Sequence, residues 1–157
     1  MGKKPAELKA ELERLLPALE KIINVLHNQD LDVVMFVSGT KDEDDRFLAH
    51  QLYNMEERLK RIVWDVEYLN GQPGPAGKLK HNLAGRYALP DGDYWSSGGP
   101  IELKLWDDID ERWDWVKTRI EFSHEKGDYY AVSNPKLNLE GVIARKRKEN
   151  INLSRDW

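Results

Sequence analysis

Residues 113–122 read WDWVKTRIEF, and this stretch decides the fold of the second half of the chain. Side chains alternate between the two faces of a β-strand, so one face would carry Val116, Thr118, Ile120 and Phe122. The opposite face would carry a mixed set, Trp113, Trp115, Lys117, Arg119 and Glu121. The alternation therefore predicts a strand with one face toward a core and a Trp-rich face turned the other way.

Four further short runs of apolar and aromatic residues flank this strand, at 86–89, 101–105, 129–132 and 141–144. Turn signals separate them, of which the clearest is Pro90-Asp91-Gly92-Asp93. Five short strands joined by turns predict a small antiparallel β-barrel-like domain of about the size of an SH3 domain.

The first 70 residues show a different period, in which apolar residues recur at alternating intervals of four and three. Such heptads form a stripe along one face of a helix, and each stripe needs a partner to cover it. We expect an antiparallel, coiled-coil-like helical hairpin, and dimerisation would give the stripes further cover. The first stripe is Leu8, Leu12, Leu15, Leu19, Ile22 and Leu26; the second is Leu48, Leu52, Met55, Leu59, Ile62, Val66 and Leu69.

Three local features bear on the ends and continuity of these helices. Pro17 predicts a kink or break in the first helix, because proline lacks the N–H that would bond the carbonyl of Glu13. Thr40-Lys41-Asp42-Glu43 has the form of a capping box, which predicts a second helix over 43–69. Residues 30–39 are consistent either with a short strand or with an extension of the first helix.

The chain is therefore predicted to be an α+β protein with two parts. We expect a helical hairpin over 1–70, a Pro/Gly-rich linker over 71–80, a β domain over 81–148 and a C-terminal tail over 149–157.

Composition excludes several kinds of chemistry. The 157 residues contain no Cys, and 28 acidic against 24 basic residues leave a formal net charge of −4. Without Cys there is no disulfide, no thiolate zinc site and no thiol nucleophile. The four histidines lack metal-ligand spacing, and no nucleophile motif is present. We expect no enzymatic activity, no cofactor and no metal; the absence of a long apolar run or a signal-like start favours a cytoplasmic protein.

Two charged features of opposite sign lie in the second half of the chain. The first is an acidic loop next to aromatic side chains, which we expect to bind a protein partner, unless other parts of the chain cover these rings. Its candidate residues are Trp106, Asp107, Asp108, Asp110, Glu111, Trp113, Trp115 and Arg119. The second is a basic run, Arg145, Lys146, Arg147 and Lys148, which would contact phosphates if the domain binds nucleic acid instead.

Several short motifs occur in a recognisable order, among them Gly85-Arg86-Tyr87, Gly99-Pro100-Ile101-Glu102, Trp115-Val116-Lys117-Thr118-Arg119-Ile120-Glu121, Asp128-Tyr129-Tyr130 and Leu139-Glu140-Gly141. Residues 81–148 thereby resemble a small β-rich domain family of unknown function carried by phages, plasmids and conjugative elements of Gram-positive bacteria. The resemblance implies a mobile-element setting and supplies no catalytic residues.

From these observations we expect a non-enzymatic binding protein of a mobile element. Its most concrete form is an anti-defence protein, such as an anti-CRISPR inhibitor that binds a host nuclease or nucleoprotein. The alternatives are a nucleic-acid-binding module that uses the basic run and the Trp face, and an assembly adaptor that forms a homodimer through the helical hairpin.

Overall fold

The computed structural model describes residues 2–29, 31, 42–148 and 157. The chain divides into two compact units, one formed by Met1–Gly71 with Glu149–Trp157 and the other by Gln72–Lys148. This division supports the α+β class predicted from the sequence. Residues 71–80, interpreted from the sequence as a linker, already contain strand β1 and the start of β2. The tail residues 149–156 lie outside the described part.

The helical unit consists of α1, Pro5–His27, and α2, Glu43–Asn70, which pair as an antiparallel hairpin. The predicted break at Pro17 does not occur, because α1 runs through this residue to His27. One proline costs a helix a single backbone hydrogen bond and about 3 kcal/mol, which the remaining turns of α1 and its packing can offset. No described helix is both long enough and apolar enough to cross a lipid bilayer.

Asp42 is the N-cap of α2, and its carboxylate accepts a hydrogen bond from the Asp44 N–H at 2.9 Å. The start of the helix agrees with the prediction, but the capping side chain is Asp42. Thr40, the expected cap, lies outside the described residues. So does most of the 30–39 segment, of which only Leu31 is described, as helical and buried.

The two helices pack through a seam that takes in only part of each heptad stripe. Ile23 of α1 and Val63 of α2 are fully buried in it, together with the charged pair Glu56 and Lys60. Every second member of the α2 stripe is exposed instead, as are four members of the α1 stripe. The expectation that the hairpin alone would cover the stripes is therefore only partly met.

The second unit is a curled antiparallel sheet, a half-barrel where the sequence predicted a barrel-like domain. Five strands follow the order β1-β7-β4-β5-β6, and β2 pairs with β3 separately. The strands are β1 (Gly77–Lys78), β2 (Lys80–His81), β3 (Tyr87–Ala88), β4 (Pro100–Asp107), β5 (Arg112–Ser123), β6 (Asp128–Ala131) and β7 (Ile143–Arg145).

The core of this unit packs against one face of the curled sheet. Trp95 is its largest buried side chain, and its Nε1–H donates to the Pro100 carbonyl at 2.8 Å. Ile120 is buried on the face of β5 predicted to meet the core, whereas Phe122 on the same face is partly exposed near the end of the strand. The other buried members of the core are Leu79, Tyr87, Leu89, Ile101, Leu103, Ala131, Leu139 and Ala144.

Candidate protein-binding cleft

The β4–β5 hairpin brings two tryptophans together at its end. Trp106 lies directly opposite Trp113 in the antiparallel register, and their ring centroids are 5.7 Å apart at an interplanar angle of 68°. This is the edge-to-face arrangement that aromatic pairs favour. Trp106 is 48% exposed and Trp113 58% exposed, so the pair forms an apolar surface open to solvent.

The third tryptophan on this face, Trp115, has a different environment. The Arg145 guanidinium lies 4.1 Å from its ring centroid, and the Lys104 Nζ lies 6.0 Å from it. The ring attracts both cations, most strongly the nearer guanidinium, and Trp115 is half-buried. The Trp-rich face is therefore divided into an open part at Trp113 and a covered part at Trp115.

Arg119 lies away from these tryptophans. It is opposite Pro100 at the other end of the hairpin, about 20 Å from Trp113 along the strand. Its Nε–H donates to Glu121 at 3.1 Å. The structure thus separates Arg119 from the other residues predicted to bind a partner.

The acidic loop is organised by its own hydrogen bonds. Asp107 accepts from the N–H groups of Ile109 and Asp110, and these backbone bonds hold the pKa of Asp107 below its ordinary value. Arg112 pairs with Asp114 at 2.8 Å and with Asp110 at 3.2 Å, which neutralises part of the loop charge.

The tip of the hairpin also holds backbone strain. Glu111 has a φ of 49°, in the left-handed region that costs a residue with a Cβ about 1–2 kcal/mol. Strained residues of this kind occur often at binding sites, where the surrounding structure holds them in place.

A cleft of about 560 Å³ lies next to the tryptophan pair. The end of the β4–β5 hairpin forms one wall with Lys104, Leu105, Trp106, Asp108 and Trp113. Residues from β1, β7 and the loop before β7 form the other, namely Lys78, Asn134, Leu137, Glu140, Gly141, Val142 and Ile143. Sequence analysis did not find this second wall, since no local pattern relates residues 134–143 to Trp106.

The cleft exists because β7 pairs with β4 over two residues only and at Ile143 pairs with β1 instead. β7 pairs with β4 only at Glu102↔Arg145 and Leu103↔Ala144, whereas β4 continues to Asp107. Along residues 104–107, β4 has β5 on one side and none of the described strands on the other. Such an edge presents backbone N–H and C=O groups that can pair with an added strand.

Two arginines of the basic run donate hydrogen bonds to a buried carboxylate. Glu102 is 5% exposed, and its two oxygens accept hydrogen bonds from the Nε–H groups of Arg145 and Arg147. Burial alone would raise the pKa of Glu102, but these two guanidiniums outweigh it and lower the pKa. Lys146 donates to the Tyr94 carbonyl at 3.2 Å, and Lys148 is exposed. Sequence analysis missed Glu102, because an acidic residue between two core residues of a strand is normally expected on the solvent side.

A second polar cluster links three segments of the β unit. His81 Nε2 lies 2.8 Å from Asp128 and Nδ1 lies 3.2 Å from Glu140, while the Tyr87 hydroxyl donates to Asp128 at 3.1 Å. The hydrogen bond to Asp128 is the main reason that the pKa of His81 is raised. Burial, with the nearby carboxylates, raises the pKa of Tyr87 to about 12. Within the described residues, no group of three or more His, Asp or Glu side chains is arranged to hold a metal ion.

Comparisons with known proteins bear on the β unit alone. No curated protein and no solved structure matches the chain. The model of one family does match, over residues 77–146, and its description is a domain of unknown function, DUF5348. The β unit, from β1 to the basic run, is thus similar to a small domain family whose function is not assigned.

Proposed function

We propose that this protein is a non-enzymatic binding protein whose β unit holds an extended segment of a partner protein in the cleft beside Trp106 and Trp113. One observation carries this proposal: an exposed tryptophan pair lies next to a stretch of β4 whose cleft side has no partner among the described strands. Addition of a peptide strand to an open sheet edge is a common mode of recognition, in which backbone bonds give affinity and side-chain pockets give specificity.

The chemistry of the cleft indicates what the segment contains. An apolar side chain would pack between Trp106 and the aliphatic wall of Leu137 and Val142. A following Lys or Arg would lie near Asp108 and over the face of Trp113, where a cation is attracted by both the carboxylate and the ring. The ligand class is therefore an extended peptide that carries an apolar residue close to a basic one.

The nature of the partner protein is a further part of this proposal. A nuclease or nucleoprotein of a bacterial defence system has basic segments that bind nucleic acid, and such a segment has the chemistry that the cleft requires. The mobile-element setting and the cytoplasmic location expected from the sequence would place the two proteins in one compartment.

The experiment is affinity capture from a host lysate with the full chain as bait, followed by titration of the captured protein. Trp113→Ala is the test variant, and Trp64→Ala is the matched control because Trp64 is similarly exposed but lies in the helical unit. We expect Trp113→Ala to weaken binding by at least 30-fold, the usual effect of removing an interface anchor. The control should change it less than threefold.

The result also decides between the alternatives. If the captured protein is a nuclease, an excess of the wild-type chain should inhibit its activity, whereas the same excess of the Trp113→Ala variant should not. Equal capture by both variants would exclude the cleft as the binding site. The nucleic-acid alternative predicts that the protein retards nucleic acid in a gel, that salt weakens this binding, and that Lys148→Ala abolishes it. Lys148 is chosen because it is the most accessible cation of the basic run.

A further inference from the structure

The helical unit carries an exposed apolar surface that the hairpin leaves uncovered. On α2, four side chains recur at intervals of seven and are each 45–56% exposed: Leu48, Met55, Ile62 and Leu69. On α1, Leu8, Leu15 and Ile22 recur at the same interval with Leu12 between them, each 45–55% exposed. We call these eight residues the double stripe.

The two halves of the double stripe lie on one face of the hairpin, and Trp157 marks the opposite face. The Trp157 Nε1–H donates to Asn24 at 2.9 Å, and its ring centroid is 6.3 Å from that of Trp64. Asn24 is two residues from Ile22, and Trp64 is two residues from Ile62. Two residues correspond to about 200° of rotation around a helix, so each stripe residue points away from the face that Trp157 occupies.

The contacts in the seam between α1 and α2 are made by residues outside the double stripe. Glu56 is buried there and accepts hydrogen bonds from Lys60 at 2.7 Å and from His27 at 2.9 Å. The bond between His27 of α1 and the buried Glu56 of α2 defines which helix faces meet, because a rotation that brought the stripes into the seam would break it and leave Glu56 with partners from its own helix alone. The stripes are therefore left for a different partner.

Heptad spacing specifies the kind of partner. A seven-residue repeat keeps a seam in contact with another helix, whereas an irregular groove or a sheet would not require it. Both stripes have this spacing and lie side by side, so a second hairpin related by a two-fold axis would match them. Eight side chains, each about half-exposed, on two copies would bury roughly 500–1,000 Å² of apolar surface, comparable with the apolar part of a standard-size interface.

We propose that two copies of this chain pair through the double stripe and form a four-helix bundle. The occupant of the apolar face is a second copy of the same hairpin. This proposal goes beyond the binding function of the β unit and does not depend on it. The dimer would display two clefts, and a partner with two binding segments would be held more tightly than by one copy.

The experiment measures the mass of the full chain by light scattering and by sedimentation over a range of concentrations. We expect twice the chain mass of 18.3 kDa for the wild type. Ile62→Glu combined with Leu15→Glu should weaken dimerisation by at least 100-fold, because four carboxylates would be buried in the bundle. Leu83→Glu is the matched control, since Leu83 is fully exposed in the β unit, and it should remain a dimer.

Helical content by circular dichroism checks that the double variant folds. If it unfolds, dilution of the wild type still tests the proposal, since dimers must dissociate into 18.3 kDa monomers as the concentration falls. A monomer up to millimolar concentration overturns the proposal. So does a dimer that the double variant leaves intact while its helices are folded, or a mass other than that of a dimer. Cleft binding by the monomeric variant would show that the two proposals are independent.

Discussion

Replacement of Glu102 by Gln tests whether the basic run has a structural role. In the folded protein this carboxylate is 5% exposed and accepts hydrogen bonds from Arg145 and Arg147, whose side chains are 21% and 15% exposed. The change removes the negative charge and keeps nearly the same shape. The two Nε–H groups then face one amide oxygen and one NH₂ group, so one of these two hydrogen bonds is lost.

These contacts determine how much stability the β unit should lose. Removal of one partner from a buried ion pair costs about 3–5 kcal/mol, since the remaining charge is left uncompensated. The lower end applies here, because the Gln oxygen still accepts one hydrogen bond and both arginines retain some contact with water. A loss of about 3 kcal/mol corresponds to a decrease of about 12–24 °C in the Tm of a unit of this size.

The measurement is hydrogen exchange of amides in β4, which reports on the β unit separately from the helices. Arg147→Ala should lower the free energy of unfolding more in the wild type than in the Glu102→Gln variant. The difference, which is the coupling energy of the double-mutant cycle, should be at least about 1 kcal/mol. Lys148→Ala is the control, and as an exposed substitution it should change stability by less than about 0.5 kcal/mol.

The pH dependence provides a second check with a defined sign. The pKa of Glu102 is lower in the folded state than in the unfolded chain. Its contribution to stability is therefore complete above the ordinary pKa of a glutamate and is lost as the pH falls through the lower, folded value. The wild type should therefore begin to lose stability relative to Glu102→Gln below about pH 4 and should match it only below the folded pKa of Glu102. A decrease in Tm of under 3 °C, or a coupling near zero, would refute the structural role of the basic run.

Two other substitutions test the β unit. The pKa of His81 is raised by its hydrogen bond to Asp128, so its stabilising effect is complete below about pH 6.5 and is lost as the pH rises through the folded value. The Tm difference between the wild type and His81→Gln should therefore shrink from pH 6 to pH 9, and a difference that grows would contradict the assignment. Gly77→Ala should destabilise the unit by about 1–3 kcal/mol in urea denaturation, because the added Cβ would lie 2.6 Å from the Pro90 ring. Gly2→Ala, where nothing lies within 4 Å, is the control and should have no effect.

The local periods of the sequence predicted most of the elements. The α2 helix was expected over 43–69 and spans Glu43–Asn70, and the alternation in 113–122 correctly placed Ile120 in the core. Such periods reflect the geometry of one helix or one strand, which depends only on near neighbours in the chain. Strands β1 and β2 were missed, because two-residue strands are too short to show any period.

The candidate site was predictable only in part. Trp106, Asp108 and Trp113 do line a common cleft, as their closeness in a hairpin suggested. Trp115 carries the same residue type two positions further along, yet Arg145 from a distant strand covers it. Nothing in the sequence near Trp115 indicates that contact, since it depends on how β7 is placed next to β4.

The sequence by itself determined the two-part α+β organisation, the heptad spacing of the helices and the alternation of the long hairpin. Only the tertiary structure decided which surfaces remain open. It placed Glu102 between two arginines more than forty residues away, separated β7 from the end of β4 to leave the cleft, and rotated the helices so that the Glu56–Lys60 pair fills the seam. The physical reason is that local geometry follows from neighbouring residues, whereas burial and charge pairing depend on strand register and helix rotation, which the whole chain decides together.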